Sequence, residues 1–193
     1  MKPRPLLIVM VKEPRAGRVK TRLARDIGTP AAAWWMRHQI RALLRRLSDP
    51  RWELRLSVAP DRALGSRALP AGAGRMPQGG GDLGERMLRA LRSRQTAPVL
   101  VIGADIPDIT RAHIARAFTA LGRAEAVLGP APDGGYWLLG MRRGALARAG
   151  LLRGVGWSHA GTRAETIAAL PAAWRVAQVD VLADVDEVAD LNR

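Results

Sequence analysis

The chain opens with an unbroken apolar run, Leu6 to Val11 (LLIVMV), in which no polar position marks an exposed face. A short run of that kind, rich in Val, Ile and Leu, predicts a strand buried on both faces of a parallel sheet. The pattern then breaks abruptly. Lys12, Arg15, Arg18, Lys20 and Arg22 follow, with Pro14 and Gly17 between them, and past Thr21 the pattern turns helical. Ala31 to Leu47 reads as a helix, with Trp34, Trp35, Ile40, Leu43, Leu44 and Leu47 largely on one side and Arg37, Arg41 and Arg45 opposite. Asp49-Pro50 ends it, and Trp52 to Ala59 alternates as a second strand bounded by Pro60-Asp61. Gly65 to Gly81, rich in Gly, Ala and Pro, reads as a loop. Asp82 after it can cap a helix starting near Leu83, with Glu85 placed close to a capping box.

Val99 to Ala104, Ala124 to Leu128, Tyr136 to Met141 and Val176 to Leu182 read as further strands. Thr110 caps another helix, Thr162 to Leu170 forms one, and Asp186 starts a closing helix. Strand and helix patterns alternate, and no repeat or linker interrupts them. The prediction is one α/β domain over residues 1–193, a mostly parallel sheet with helices on both faces.

Length and composition fit that picture: 193 residues, 48% hydrophobic, suffice for one substantial core. The absence of cysteine excludes disulfides, thiolate metal sites and a cysteine nucleophile. No signal peptide is evident and the first apolar run is too short to span a bilayer, so a cytoplasmic location is expected. The net charge of +14 and pI near 11.7 invite a nucleic-acid reading. The distribution argues against it as the main function. Arginines are spread along the whole chain, and aromatic residues total only 4%, with no interleaved aromatic and basic pattern for stacking bases. An anionic small-molecule substrate explains the local basic clusters more simply.

The first such cluster follows the most hydrophobic strand. A buried strand, a basic glycine-containing loop and a helix start form a phosphate-binding layout, with backbone N–H groups and the positive end of the helix dipole facing an anion. Lys2, Lys12 and Lys20 are the only lysines in the chain, and two of them fall in this loop. The glycine run PQGGGDLGERM sits just ahead of a helix start, where backbone can approach a flat ligand and Gln78 can offer its amide to a base; a solvated loop with a good cap reads equally well. Asp105 lies just past the carboxyl end of a buried strand, where open α/β sheets bind ligands, and Pro107 stops the strand there. A divalent cation bridging such a carboxylate to substrate phosphates is the natural chemistry. Asp133-Gly134-Gly135 demands a tight turn, either a plain hairpin or one that leaves room for a substrate bound by Asp133. Ser158 and His159 lie in a later turn, and Asp186, at the mouth of the last strand, is a second carboxylate that can complete a metal site or merely cap a helix.

The motifs KEPRAGRVKTRLA, QGGGDLGERM, GADIPD, DGGYWLLG, the Trp157-Ser158 turn and DVDEVADL occur in this order over nearly the whole chain. Together they resemble the DUF2064 family, GT-A-fold transferases described as glycosyltransferases associated with arsenosugar biosynthesis. The Lys12 to Leu23 loop also resembles the phospholactate guanylyltransferase branch of nucleotidyltransferases. The resemblance implies a Rossmann-like nucleotide-diphospho-sugar transferase fold. It implies nucleotide binding by Lys12, Gly17, Lys20, Arg22, Gln78 and Gly84, with Gln78 and Gly84 lining a base pocket. It further implies Mg²⁺ or Mn²⁺ on Asp105 and Asp186, and substrate contacts from Asp133, Gly134, Gly135, Tyr136 and Ser158. Lys20, Asp105 and Asp133 would carry catalysis. The reaction implied is glycosyl transfer from a nucleotide-sugar donor to a small acceptor. The alternative is nucleotidyl transfer from an NTP to a small phosphorylated acceptor with release of pyrophosphate.

Overall fold

The computed structural model describes residues 3–192. The apolar run forms strand β1 (Leu6–Lys12), and its side chains alternate between two cores. Leu7, Val9 and Val11 point into one, Leu6 and Ile8 into the other, as the two-residue period of a strand requires. Its neighbours are β2 (Glu53–Ala59) and β4 (Val99–Ile102), both parallel to it. A short β3 (Gly74–Pro77) pairs in parallel with β2 at the sheet edge. On the other side come β6 (Tyr136–Met141), then β5 (Ala126–Pro130) and β7 (Val176–Gln178). The seven-stranded order is β3-β2-β1-β4-β6-β5-β7, and β6 runs antiparallel to both its neighbours. The fold is therefore the mostly parallel α/β sandwich expected, with a β5–β6 hairpin inserted.

Helices cover both faces. Helix α2 (Thr29–Leu47) and helix α4 (Arg111–Ala120) pack Ile40, Leu43, Leu47, Ile114 and Ala117 into the first core. Helix α3 (Leu83–Arg92) brings Met87, Leu88 and Leu91 to the second, joined by helix α5 (Thr162–Ala169) through Ile167 and Ala169. The caps are as read: Asp82 accepts from the Glu85 N–H at 2.8 Å, and Thr110 forms a reciprocal box with His113.

Four local expectations are corrected. Trp34 is 68% exposed, with the Arg37 guanidinium 5.8 Å from its ring; only Trp35 packs against the core. The glycine-rich stretch contains β3. The last strand pairs only over Val176–Gln178; the extended chain beyond it is tied on by the Val179 and Leu182 N–H groups, which donate to Leu128 O and Pro130 O. The helix after the basic loop, α1 (Leu23–Ile27), has only five residues. So short a helix adds little dipole, and the charge of this loop rests on its side chains.

After β3 the chain crosses back to place β4 on the far side of β1. The crevice at the carboxyl ends of β1 and β4 is thus the switch point of the sheet, where ligands enter open α/β folds.

Candidate functional site

The loop leaving β1 and the residues leaving β4 face each other across this crevice. Lys20 has a φ of +46°, a left-handed conformation uncommon for a side-chain-bearing residue, and it aims its ammonium into the crevice. Its Nζ lies 2.6 Å from Asp105 Oδ2, 2.9 Å from Asp186 Oδ1 and 4.0 Å from Asp184 Oδ2, with the side chain only 8% exposed. Burial works against this charge, but Asp105 and Asp186 outweigh it and hold the amine above the ordinary lysine value. Arg22 Nη1 reaches the other oxygen of Asp186 at 2.9 Å.

The acidic side is built from two distant segments. Ala104 and Ile106 are buried in the core and fix Asp105 between them, and Gly103 N donates to Trp137 O at 3.2 Å. The segment carrying Asp184 and Asp186 docks through a main-chain bond, Val185 N to Asp105 O at 3.0 Å, with the Val185 side chain buried. Asp190 Oδ2 accepts from the N–H groups of Asp186 and Glu187, both at 2.9 Å, and shapes the turn. The alternation in Asp184-Val185-Asp186 sends both carboxylates the same way and Val185 inward.

Asp105, Asp184 and Asp186 each offer an oxygen, and these atoms lie within 4.8 Å of one another. Asp184 is the member that reading the sequence missed; the alternation around Val185 was the available signal. Its carboxyl is pushed up to about 6, first by burial and then by the neighbouring Asp105 charge. Three hard oxygen donors with surplus negative charge suit Mg²⁺ or Mn²⁺, and the Lys20 ammonium already stands among them as a cation.

An open groove of about 790 Å³ runs past this cluster, lined by Lys12, Arg18, Lys20, Thr21 and Arg22 on one bank and Asp133, Ser158 and His159 on the other. A smaller chamber of about 260 Å³ opens behind it, bounded by Gly135, Tyr136, Trp137 and Trp157. A hollow of about 1020 Å³ elsewhere, around Arg4, Trp52 and Glu53, lies at the amino ends of the strands and contains none of the predicted site residues.

The turn bearing Asp133 is held by the Gly135 N–H, which donates to Asp133 Oδ1 at 2.9 Å. A Cβ on Gly134 would come within 2.1 Å of Ala160 O, so glycine is what lets this turn meet the Ser158 turn. Ser158 itself has φ +63°. The Tyr136 hydroxyl is bonded by Thr166 Oγ1 at 3.3 Å, and burial pushes it up to about 12.

Three predicted nucleotide-binding residues stand elsewhere. Gln78 is buried, and its amide nitrogen donates to Val11 O at 3.2 Å and Ser57 O at 3.0 Å, tying β1 to β2 rather than facing a base. Gly84 lies beneath Trp157; a Cβ there would come 2.6 Å from Trp157 Cζ2, so its smallness seats the indole. Gly17 turns the basic loop with φ +73° and is not part of the groove wall.

The family described as "Uncharacterized protein conserved in bacteria (DUF2064)" matches residues 42–159. No curated protein matches the sequence. A crystal structure from Desulfovibrio desulfuricans G20, described as a candidate nucleotide-diphospho-sugar transferase, is 30% identical with a TM-score of 0.83, over 97% of this chain and 84% of that one. Rv0371c from Mycobacterium tuberculosis H37Rv, in complex with manganese, is 16% identical with a TM-score of 0.57, over 99% and 97%. The 2-C-methyl-D-erythritol 4-phosphate cytidylyltransferase of Thermus thermophilus is 19% identical with a TM-score of 0.56, over 100% and 96%. The last two share the fold. Among the described residues, no helix is long and apolar enough to cross a membrane.

Proposed function

This chain belongs to the DUF2064 family, and from that premise we infer that it is a metal-dependent nucleotidyltransferase, joining an NTP to a small phosphorylated acceptor with release of pyrophosphate. The observation that carries the reading is Lys20 Nζ within 4.0 Å of three carboxylates beside a groove lined with further cations. Such a site takes a polyphosphate on the Lys12, Lys20 and Arg22 bank. A divalent ion held by Asp105, Asp184 and Asp186 would supply charge neutralisation at the phosphates. The acceptor oxygen bonds to the α-phosphorus, and the bridge to the β-phosphate breaks with its electron pair leaving on pyrophosphate. Lys20 and Arg22 stabilise the charge that grows on the leaving group. Asp133, on the opposite bank, orients the acceptor. Solved cytidylyltransferases of the same fold favour this chemistry.

Glycosyl transfer from a nucleotide-sugar, as in the arsenosugar-associated description of the family, is the second reading. It is favoured by the description of the Desulfovibrio relative. The two separate in one experiment: thermal shift with the four NTPs and a set of NDP-sugars, each with Mn²⁺ or Mg²⁺, followed by assay of released pyrophosphate or nucleoside diphosphate. An NTP shift with pyrophosphate release supports nucleotidyl transfer. Nucleoside diphosphate release from an NDP-sugar supports the second reading, and no shift with any nucleotide refutes both.

A further inference from the structure

The two cavities that meet at the carboxylate cluster differ in charge, and the difference bears on the acceptor of the nucleotidyl transfer inferred above. The open groove carries Lys12, Arg18, Lys20 and Arg22. The chamber behind it has no lysine or arginine in its wall among the described residues. Its sides are Met10, Leu83, Met87, Leu139, Tyr136 and Trp157. Leu83 stands 44% exposed where chamber and groove join, an apolar side chain left open at a ligand entrance. The carboxylates of the chamber, Asp105, Asp133 and Asp184, all sit on the rim it shares with the groove.

Behind that rim most polar tips are already engaged, and among the described residues the Trp157 Nε1–H is the buried donor of this wall left without a partner. Trp137 Nε1 donates to Asp180 O at 2.9 Å. The Thr162 hydroxyl lies 2.8 Å from His159 O and 3.0 Å from Gly156 O, and the Tyr136 hydroxyl accepts from Thr166 Oγ1. A polyol placed here would find one spare donor in the Trp157 N–H and leave its other hydroxyls without partners, each costing free energy comparable to a lost hydrogen bond. A second phosphate would meet no cation and would face three carboxylates at the rim. A ring or short alkyl group would bury apolar area against Met87, Leu139 and the Trp157 indole. At about 260 Å³ the chamber falls just below the usual range for drug-sized ligands and takes a small body.

We propose that the acceptor is a phosphate ester of an apolar group, its phosphate at the shared rim beside Lys20 and its ring or alkyl body in the chamber against Trp157 and Leu83. In the transfer, an oxygen of that phosphate forms the new bond to the α-phosphorus and the α–β bridge breaks to release pyrophosphate. The apolar body stays unchanged and sets specificity.

The test is calorimetric binding to the full chain with Mn²⁺ present. The probes are methyl, ethyl, propyl and butyl phosphate, phenyl phosphate, and glycerol phosphate as the polar control. Affinity is expected to rise about three- to fourfold per methylene, and phenyl phosphate to bind about tenfold tighter than glycerol phosphate. Trp157→Ala should weaken phenyl phosphate about tenfold. Leu83→Ser, at a half-exposed position that leaves the core intact, should weaken it severalfold. A flat alkyl series, glycerol phosphate binding as well as phenyl phosphate, or no response to either substitution overturns the proposal. NTPs are titrated alongside. If they bind while the series is flat, the acceptor inference alone fails; a steep series with no NTP binding removes the nucleotidyl reading and leaves the chamber's preference standing.

Discussion

Replacing Lys20 with methionine removes one charge while keeping a straight apolar stem and the same left-handed backbone. In the native site the ammonium faces Asp105, Asp184 and Asp186, whose side chains are 29%, 39% and 41% exposed. Without it, Arg22 on Asp186 is the remaining cation with a bond to the cluster among the described residues. Two unit charges 4.8 Å apart repel by about 3 to 4 kcal/mol at an effective dielectric near 20. Partial exposure screens this, and protonation of Asp184, already held up to about 6, relieves more. The net loss expected in chelated buffer is about 2 kcal/mol, below the 3 to 5 kcal/mol typical of a fully buried pair. For a domain of this size that lowers Tm by about 4 to 8 °C. The assay is a thermal melt of both proteins at pH 7.5, first with EDTA and then with Mn²⁺. Manganese should raise Tm at least as far in Lys20→Met as in the native protein, because the ammonium no longer competes for the same oxygens. The further shift from an NTP should shrink or vanish. If Lys20→Met melts at or above the native temperature in EDTA, or if manganese does nothing for it, the balance of charge described here is wrong.

Tyr136 is the only tyrosine of the chain, so phenolate absorbance near 295 nm reports it alone. Burial favours the neutral form in the native state, up to about 12 against 10.0 unfolded. The folded protein therefore holds a proton that the unfolded chain loses, and stability falls by about 3 kcal/mol from this group as pH rises from 10 towards 12; ionisation midway at pH 10 in the folded protein would contradict this. Gln78→Leu removes the amide bonds between β1 and β2 and leaves Val11 O and Ser57 O short of a donor. It should cost about 1 to 3 kcal/mol in urea unfolding while the NTP thermal shift persists; loss of the shift without loss of stability would return Gln78 to the ligand.

What the sequence disclosed follows from how local each signal is. The β1 run, the Asp82 and Thr110 caps and the Asp133-Gly134-Gly135 turn are set by neighbouring residues, and each was readable. β3 was not, because Gly74–Pro77 is a four-residue edge strand with no alternating apolar pattern. The reversed direction of β6 was legible only as the hairpin alternative at Asp133-Gly134-Gly135, since an apolar strand by itself reads the same in both directions. Trp34 was misplaced because adjacent helical residues sit about 100° apart, and one of a neighbouring pair at the border of an apolar stripe can turn outward. At the site, Lys20, Asp105 and Asp186 were named but their proximity was not deducible, since Lys20 and Asp186 are 166 positions apart. Gln78 was read from its place in the glycine run as well as from resemblance, and Gly84 from resemblance; here the packing of β1 on β2 and of Trp157 on α3 uses both for architecture.

The pin between Val185 and Asp105 means that the acidic cluster is completed by the part of it that is translated last. As the polypeptide emerges, the cationic loop and Asp105 precede Asp184 and Asp186, so the nascent crevice carries an excess of positive charge. Only when the strap bearing those two carboxylates docks do the acids of the groove, Asp105, Asp133, Asp184 and Asp186, match Lys12, Arg18, Lys20 and Arg22 in number. Binding competence in this sense waits on the docking of that strap, through the Val185 main-chain bond, its buried side chain and the ion pairs of Asp186.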